Sequence, residues 1–158
     1  LTAIVSASII ASFGTTIEKM VVLAVLSPIV ASIGGNTGNQ TMAVIVRALA
    51  TGQMTTANTR RTISREAAIA LLNGTTMAVL LGTGVALIFA DSLLGAVIAA
   101  ATLFNLLIAG FAGVLVPLGL KRAGVDPAVA SSVFVTMITD SMGFLPFLGL
   151  ASASGLVG

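Results

Sequence analysis

Long apolar runs separated by short polar joins organise the chain. Five apolar segments can be recognised, at about residues 1–13, 17–50, 67–90, 93–120 and 127–153. A membrane-spanning helix needs about 20 predominantly apolar residues, and all segments but the first reach that length. Membrane β-strands would be about 10 residues long with alternating polarity, which is not visible here. The pattern predicts an all-α membrane protein of five transmembrane helices, with residues 1–158 forming a single domain.

The first segment is too short to cross a bilayer alone. As a helix, residues 1–13 would measure about 20 Å, against a hydrocarbon core of about 30 Å. The chain also begins with Leu1 rather than methionine. We therefore expect this helix to be truncated, and the domain to have been cut from a longer protein.

The composition narrows the functional classes. Hydrophobic residues make up 57% of the chain and charged residues only 8%, whereas a soluble domain carries roughly 25% charged residues. The absence of His and Cys argues against zinc or copper sites and His-based catalysis. No nucleophile–base set and no nucleotide-binding loop is visible, so we expect neither an enzyme nor a nucleic-acid partner.

The basic residues are distributed unevenly between the joins. Lys19 lies on one side, whereas the other six lie near the joins that follow the second and fourth segments: Arg47, Arg60, Arg61, Arg65, Lys121 and Arg122. The positive-inside rule makes that side cytoplasmic. Five crossings then place the N-terminus in the cytoplasm and the C-terminus outside. The polar stretch 52–64 is expected to be a surface loop, and Asp126 is expected to cap the last helix.

Asp140 is the strongest candidate for a functional residue. It lies near the middle of the fifth segment, where a carboxylate costs roughly 2.5–3.5 kcal/mol on insertion and is functional by default. Ser132, Thr136 and Asp140 are spaced four apart and therefore share a helix face. This polar stripe predicts one wall of an ion pathway, with a protonated packing aspartate as the alternative.

The second segment contains the sequence GGNTGNQ at residues 34–40. Glycines let another helix or a hydrated ion approach the backbone, and amide side chains offer neutral oxygens. Glycine-mediated packing is the alternative explanation. The density of both residue types favours a pathway lining, formed by Gly34, Gly35, Asn36, Gly38 and Asn39.

Small residues also recur along the fourth segment. Ala101, Asn105, Ala109 and Gly113 are spaced four apart and share a face. This spacing favours a helix-packing seam over a binding site.

The ligand types in these segments suit a hard cation. Mg²⁺ keeps several waters and binds through one or two carboxylates, as a wide site with one Asp per chain would allow. Ca²⁺, Mn²⁺, Na⁺ and protons remain open on the chemistry alone.

Several of these motifs together resemble a known family. Pro28, the GGNTGNQ block, Arg47 and its following Ala-Leu-Ala, and Thr139–Phe144 resemble the transmembrane domain of the MgtE magnesium channels. The resemblance covers essentially the whole chain. It implies a homodimer in the inner or plasma membrane, with a pore at the dimer axis lined by the second and fifth helices.

The resemblance also implies roles for individual residues. Asp140 would hold a hydrated Mg²⁺, the transported ion, and Thr136 would help through its backbone carbonyl. Ser132 stands where some relatives carry Asn. A cytoplasmic regulatory domain with CBS modules, absent from this chain, is an implied partner. Two alternatives stay open: a secondary transporter coupled to protons or Na⁺, and a structural membrane subunit without transport.

Overall fold

The computed structural model describes residues 2–54 and 56–156, and all regular structure in these ranges is helical. Leu1, Thr55, Val157 and Gly158 lie outside the described residues, and with them the ends of the expected 1–158 domain and one residue of the 52–64 stretch. The helices, in chain order, are α1 (Thr2–Ser12), α2 (Gly14–Lys19), α3 (Val22–Ala50), α4 (Thr56–Phe89), α5 (Ser92–Arg122) and α6 (Pro127–Ala153).

Helix α5 is the centre of the bundle, because α3, α4 and α6 all pack against it. Helix α3 runs parallel to it: Gly34 faces Asn105, and Gly113 faces the Gly38 carbonyl. Helix α6 packs on both α5 and α3, and α1 packs on α6. Small residues at these crossings let the backbones approach closely, as is usual between membrane helices.

The apolar core lies where α3, α5 and α6 meet, towards the end of the bundle opposite most of the basic residues. Its largest fully buried side chain is Phe147 of α6, with Leu23 and Val30 of α3 and Leu94 and Ile98 of α5 around it. Side chains of α1 and α2 pack against this cluster from outside. The core therefore fixes α3 against α6, the two helices expected to line the pathway.

The fourth helix starts earlier than expected. Helix α4 begins at Thr56, so the expected start near residue 67 and the loop expected over 52–64 are wrong for most of that stretch. No glycine or proline interrupts residues 56–73, and neither polarity nor charge breaks a helix. The polar first turns of α4 therefore continue into its apolar part. The chain reverses direction before α4, where Gly52 has a φ of +68°.

The expected second segment, 17–50, is divided between two helices. Met20 has a φ of −141° and a ψ of 83°, which ends α2 and lets the chain change direction before α3. Ile17 and Met20 both pack against the apolar core. The break thus brings both side chains to the core, and this long-range contact cannot be read from local sequence.

Three of the described helices are long and apolar enough to cross a membrane: α4 over Asn58–Phe89, α5 and α6. Helix α3 has 29 residues, but its central amide-rich block lowers its hydropathy. Helix α1 is apolar but short. The all-helical, multi-pass character is confirmed, whereas the number of five crossings stays a prediction.

Candidate functional site

Asp140 lies at the midpoint of α6 and is partly exposed. Thr136, one turn earlier, is also partly exposed, and Ser132 is exposed. The basic side chains of the described residues lie towards the ends of their helices, so none of them is placed at the depth of this carboxylate. Asp140 is therefore a mid-helix acid that opens away from the core.

Thr139, which the sequence analysis did not assign to the site, determines which way Asp140 faces. Its side chain is fully buried, and its hydroxyl lies within hydrogen-bonding distance of the backbone carbonyls of Val135 (3.0 Å) and Thr136 (3.2 Å). It packs next to Gly35 of α3. Consecutive helical residues point about 100° apart, so Asp140 is turned off the α3 contact towards the open surface.

The glycines of the GGNTGNQ block serve contacts within the chain. Gly34 and Gly38 are buried. A Cβ on Gly34 would collide with the Asn105 amide, and one on Gly38 would lie 2.9 Å from Val135 Cγ1. Gly35 is partly exposed beside Thr139. Gly34 and Gly38 therefore need glycine for close packing of α3 on α5 and α6, whereas a Cβ on Gly35 would make an ordinary contact 3.7 Å from Thr139 Oγ1. The role of all three glycines in lining a pathway stays a prediction.

Asn36 and Asn39 of the block lie on another face of α3. Asn36 is exposed and follows a stripe of open positions along the same face, formed by Val25, Ile29 and Ser32. Asn39 is partly exposed, and its Oδ1 atom is buried with no hydrogen-bond partner among the described residues. The block therefore combines a packing face of glycines with a polar face of amides.

Asp140 directly follows Thr139, which packs beside Gly35 of α3, and Asn36 directly follows Gly35, so both polar residues lie next to the contact between α3 and α6. Within residues 2–54 and 56–156, no three His, Cys, Asp or Glu side chains gather into a metal-binding group. This surface of one carboxylate, amides and hydroxyls suits a cation that keeps its water shell.

Asn105 lies behind this surface, in the seam between α5 and α3. Its side chain is fully buried, and Nδ2 donates a 2.8 Å hydrogen bond to the Val30 carbonyl of α3. Its Oδ1 atom has no partner among the described residues. The other three members of the expected packing seam are buried as well: Ala101, Ala109 and Gly113. The Asn105 amide thus fixes the axial position of α3 relative to α5. This positioning role is visible only from the contact with α3.

Comparison with known proteins gives a consistent result. The pattern of the MgtE family, described as divalent cation transporter, matches residues 27–150. The chain is 33% identical over 150 residues to the magnesium transporter MgtE of Bacillus subtilis (strain 168), covering 95% of this chain and 33% of that protein. It is 35% identical over 153 residues to the magnesium transporter MgtE of Thermus thermophilus, covering 96% and 33%. The chain thus spans about a third of the length of these relatives.

Proposed function

The chain belongs to the MgtE family of divalent cation transporters, and from this premise we propose that it forms a Mg²⁺-conducting pathway through the membrane. Its ion site would be the Asp140 carboxylate, with the Thr136 carbonyl and Ser132 hydroxyl further along the same helix face. Family membership also answers the question of enzyme or transporter, since the family moves ions.

One observation carries the assignment of the site. Asp140 is a partly exposed carboxylate at the midpoint of α6, and it directly follows Thr139, which packs beside Gly35 of α3. An ionisable group at that depth has to face water, a partner or an ion, because lipid satisfies none of its polar atoms. Asn36 of α3 directly follows Gly35, so we expect a hydrated ion beside Asp140 to meet oxygen atoms from both helices.

The surface around Asp140 supports a homodimer. One carboxylate per chain is too little to neutralise a divalent cation. The other four acids of the sequence lie in other helices or at helix starts: Glu18, Glu66, Asp91 and Asp126. Two copies facing each other across this surface would supply two Asp140 carboxylates, within the range of ligands that Mg²⁺ uses. The exposed apolar residues of α3 beside Asn36, such as Val25 at 63% and Ile29 at 39% exposure, would also be covered.

The membrane orientation follows from the basic residues. The last turns of α3 and α5 carry the basic residues Arg47, Lys121 and Arg122. They lie at the end of the bundle where α4 begins with its three arginines. We place this end in the cytoplasm, with five crossings, a cytoplasmic N-terminus and an extracytoplasmic C-terminus. A negative membrane potential would then drive cation entry. The upstream regulatory domain implied by the family would meet the cytoplasmic end.

The test is Mg²⁺ flux into proteoliposomes with wild-type protein and Asp140→Asn at equal incorporation. Asparagine keeps the size of the side chain but removes the charge, so we expect flux to fall at least tenfold while dimerisation is retained. Asp126→Asn is the matched control, because it removes a carboxylate from the start of the same helix and leaves a residue that still caps it.

Equal flux in wild type and Asp140→Asn would show that the carboxylate is structural and remove the proposed site. Flux that requires an opposing proton or Na⁺ gradient would replace the channel with a coupled transporter. Absence of flux in the wild type, with normal dimers, would leave the structural-subunit alternative.

A further inference from the structure

A cavity with polar and apolar lining residues lies between α3 and α4, and Asp140 is not among its lining residues. It has a volume of about 270 Å³ and a mixed lining: six polar side chains, Thr37, Gln40, Thr41, Arg65, Glu66 and Asn73, and three apolar ones, Val44, Ile69 and Ala70. Gln40, Arg65 and Asn73 are exposed. Half of the polar residues of the GGNTGNQ block therefore face this cavity, which we call the crevice.

Helix α5 holds the two walls of the crevice apart. Gly110 of α5 lets α4 pack closely against α5, because a Cβ at this position would lie 2.6 Å from Ala70 Cβ. Gly113, three residues later, seats α3, because a Cβ there would lie 2.8 Å from Thr41 Cβ. Each wall is thus anchored directly on the α5 backbone, and the crevice is the space left between them.

The crevice reaches from the basic end deep into the bundle. Arg65 and Glu66 lie at its mouth, and Asn73 lies eight residues further along α4, about 12 Å deeper by the helical rise. Thr37 on the opposite wall is only about 3 Å along the axis from Gly35, which packs beside Thr139. The inner end therefore lies close to the level of Asp140.

Lipid is a poor occupant for such a space. An acyl chain offers no hydrogen bonds, so amides and hydroxyls facing it would remain unsatisfied. A water molecule takes about 30 Å³ in the liquid, so several fit, and each can bond the lining groups. The presence of both Arg65 and Glu66 at the mouth favours neutral water over a single type of ion.

We propose that the crevice is a water-filled inlet from the cytoplasmic side, separate from the Mg²⁺ pathway and divided from it by α3. It uses the proposed orientation of the chain but not the proposed transport activity. With water on both flanks, α3 would separate two aqueous compartments near mid-membrane, and the membrane potential would fall over a shorter distance there.

Because the sequence contains no cysteine, single cysteines can test this directly. Asn73→Cys and Leu72→Cys are neighbours at nearly the same depth, but Leu72 is 69% exposed on the outer surface of α4. The probe is a membrane-impermeant trimethylammonium methanethiosulfonate, applied to proteoliposomes from the cytoplasmic face. Water lets the thiol ionise to the reactive thiolate, and lipid does not.

We expect Asn73→Cys to react at least tenfold faster than Leu72→Cys, and only from the cytoplasmic face. Thr37→Cys on the opposite wall provides a second reading if Asn73→Cys folds poorly. Equal rates at the lining and lipid-facing positions would overturn the proposal, showing that lipid or a second copy fills the crevice. Reaction from the opposite face alone would overturn the cytoplasmic opening.

Mg²⁺ flux after labelling keeps this proposal distinct from the transport proposal. Labelled Asn73→Cys should conduct like the unlabelled protein, whereas labelled Asn36→Cys, beside the proposed Asp140 site, should be blocked. A block by label at Asn73 would show that the crevice belongs to the Mg²⁺ pathway and refute its separateness. The labelling rates can be measured without Mg²⁺ flux, so they test the crevice proposal even if the protein conducts no Mg²⁺.

Discussion

The contact between Gly143 and Ala31 makes the closest approach of α6 to α3 testable. A Cβ added at Gly143 would lie 2.5 Å from Ala31 Cα, 2.7 Å from its Cβ and 2.8 Å from its backbone nitrogen. Non-bonded carbon atoms rest about 3.5–4.0 Å apart, so the substitution Gly143→Ala requires the helices to separate by about 1 Å. Two of the three atoms are backbone, so no side-chain rotation can relieve the collision.

The magnitude follows from two opposing effects. Overpacking costs typically 1–3 kcal/mol, and a clash with backbone belongs at about 3 kcal/mol. Replacing a helical glycine by alanine returns about 1 kcal/mol. We expect Gly143→Ala to lower the free energy of unfolding by about 2 kcal/mol. Because Gly143 lies one turn from Asp140, the separation also displaces the carboxylate from α3, and Mg²⁺ flux should fall.

Gly149→Ala on the same helix is the matched control. The nearest atom to its added Cβ is Phe13 Cζ at 4.0 Å, so only the helical preference remains and the protein should gain up to about 1 kcal/mol. Reversible unfolding in mixed micelles would measure both variants, with an expected difference of about 3 kcal/mol, or about 100-fold in the unfolding constant. Equal stabilities would refute the close approach of α3 and α6.

Two further predictions use the same unfolding assay. Asn105→Asp should lower the free energy of unfolding by about 3 kcal/mol or more, because it replaces the donor to the Val30 carbonyl with a buried acid. Asn105→Leu should lower it by about 1 kcal/mol or less. A leucine variant less stable than the aspartate variant would contradict the positioning role of Asn105. Asp91→Ala should lower the free energy of unfolding by about 1 kcal/mol, because the Asp91 carboxylate caps α5 by accepting hydrogen bonds from the Leu93 and Leu94 amides. Asp91→Asn should retain most of that stability. Equal losses in the two variants would argue against the cap.

The parts of the fold that depend on local chemistry were predictable. Asp126 caps α6 as expected, with its carboxylate 2.9 Å from the Ala128 amide and Pro127 in the first helical position. The predicted seam along α5 is buried because residues four apart share a helix face. The position of Asp140 at the midpoint of α6 also agrees with the helical rise counted from Pro127.

The parts of the fold that depend on packing between residues distant in sequence were not predictable. Nothing in the amide block distinguishes Gly34, which meets Asn105, from Asn36, which opens to the surface, until the directions of α5 and α6 are known. Thr139 and Asn105 are ordinary polar residues in the sequence, and their roles come from contacts with α3. The helical start of α4 cannot be read from polarity, because polar residues occur both in loops and in the first turns of helices.

The hydrogen bond between Asn105 and the Val30 carbonyl joins residues 75 positions apart, and this separation matters during synthesis. Helix α3 leaves the ribosome long before α5 exists, and it is not among the helices apolar enough to be recognised as a span by length and composition. Its amide block then has neither the buried amide nor the glycine seam of α5 beside it. We therefore expect α3, if it crosses the membrane as proposed, to be stably integrated only after α5 has been made and supplies this contact.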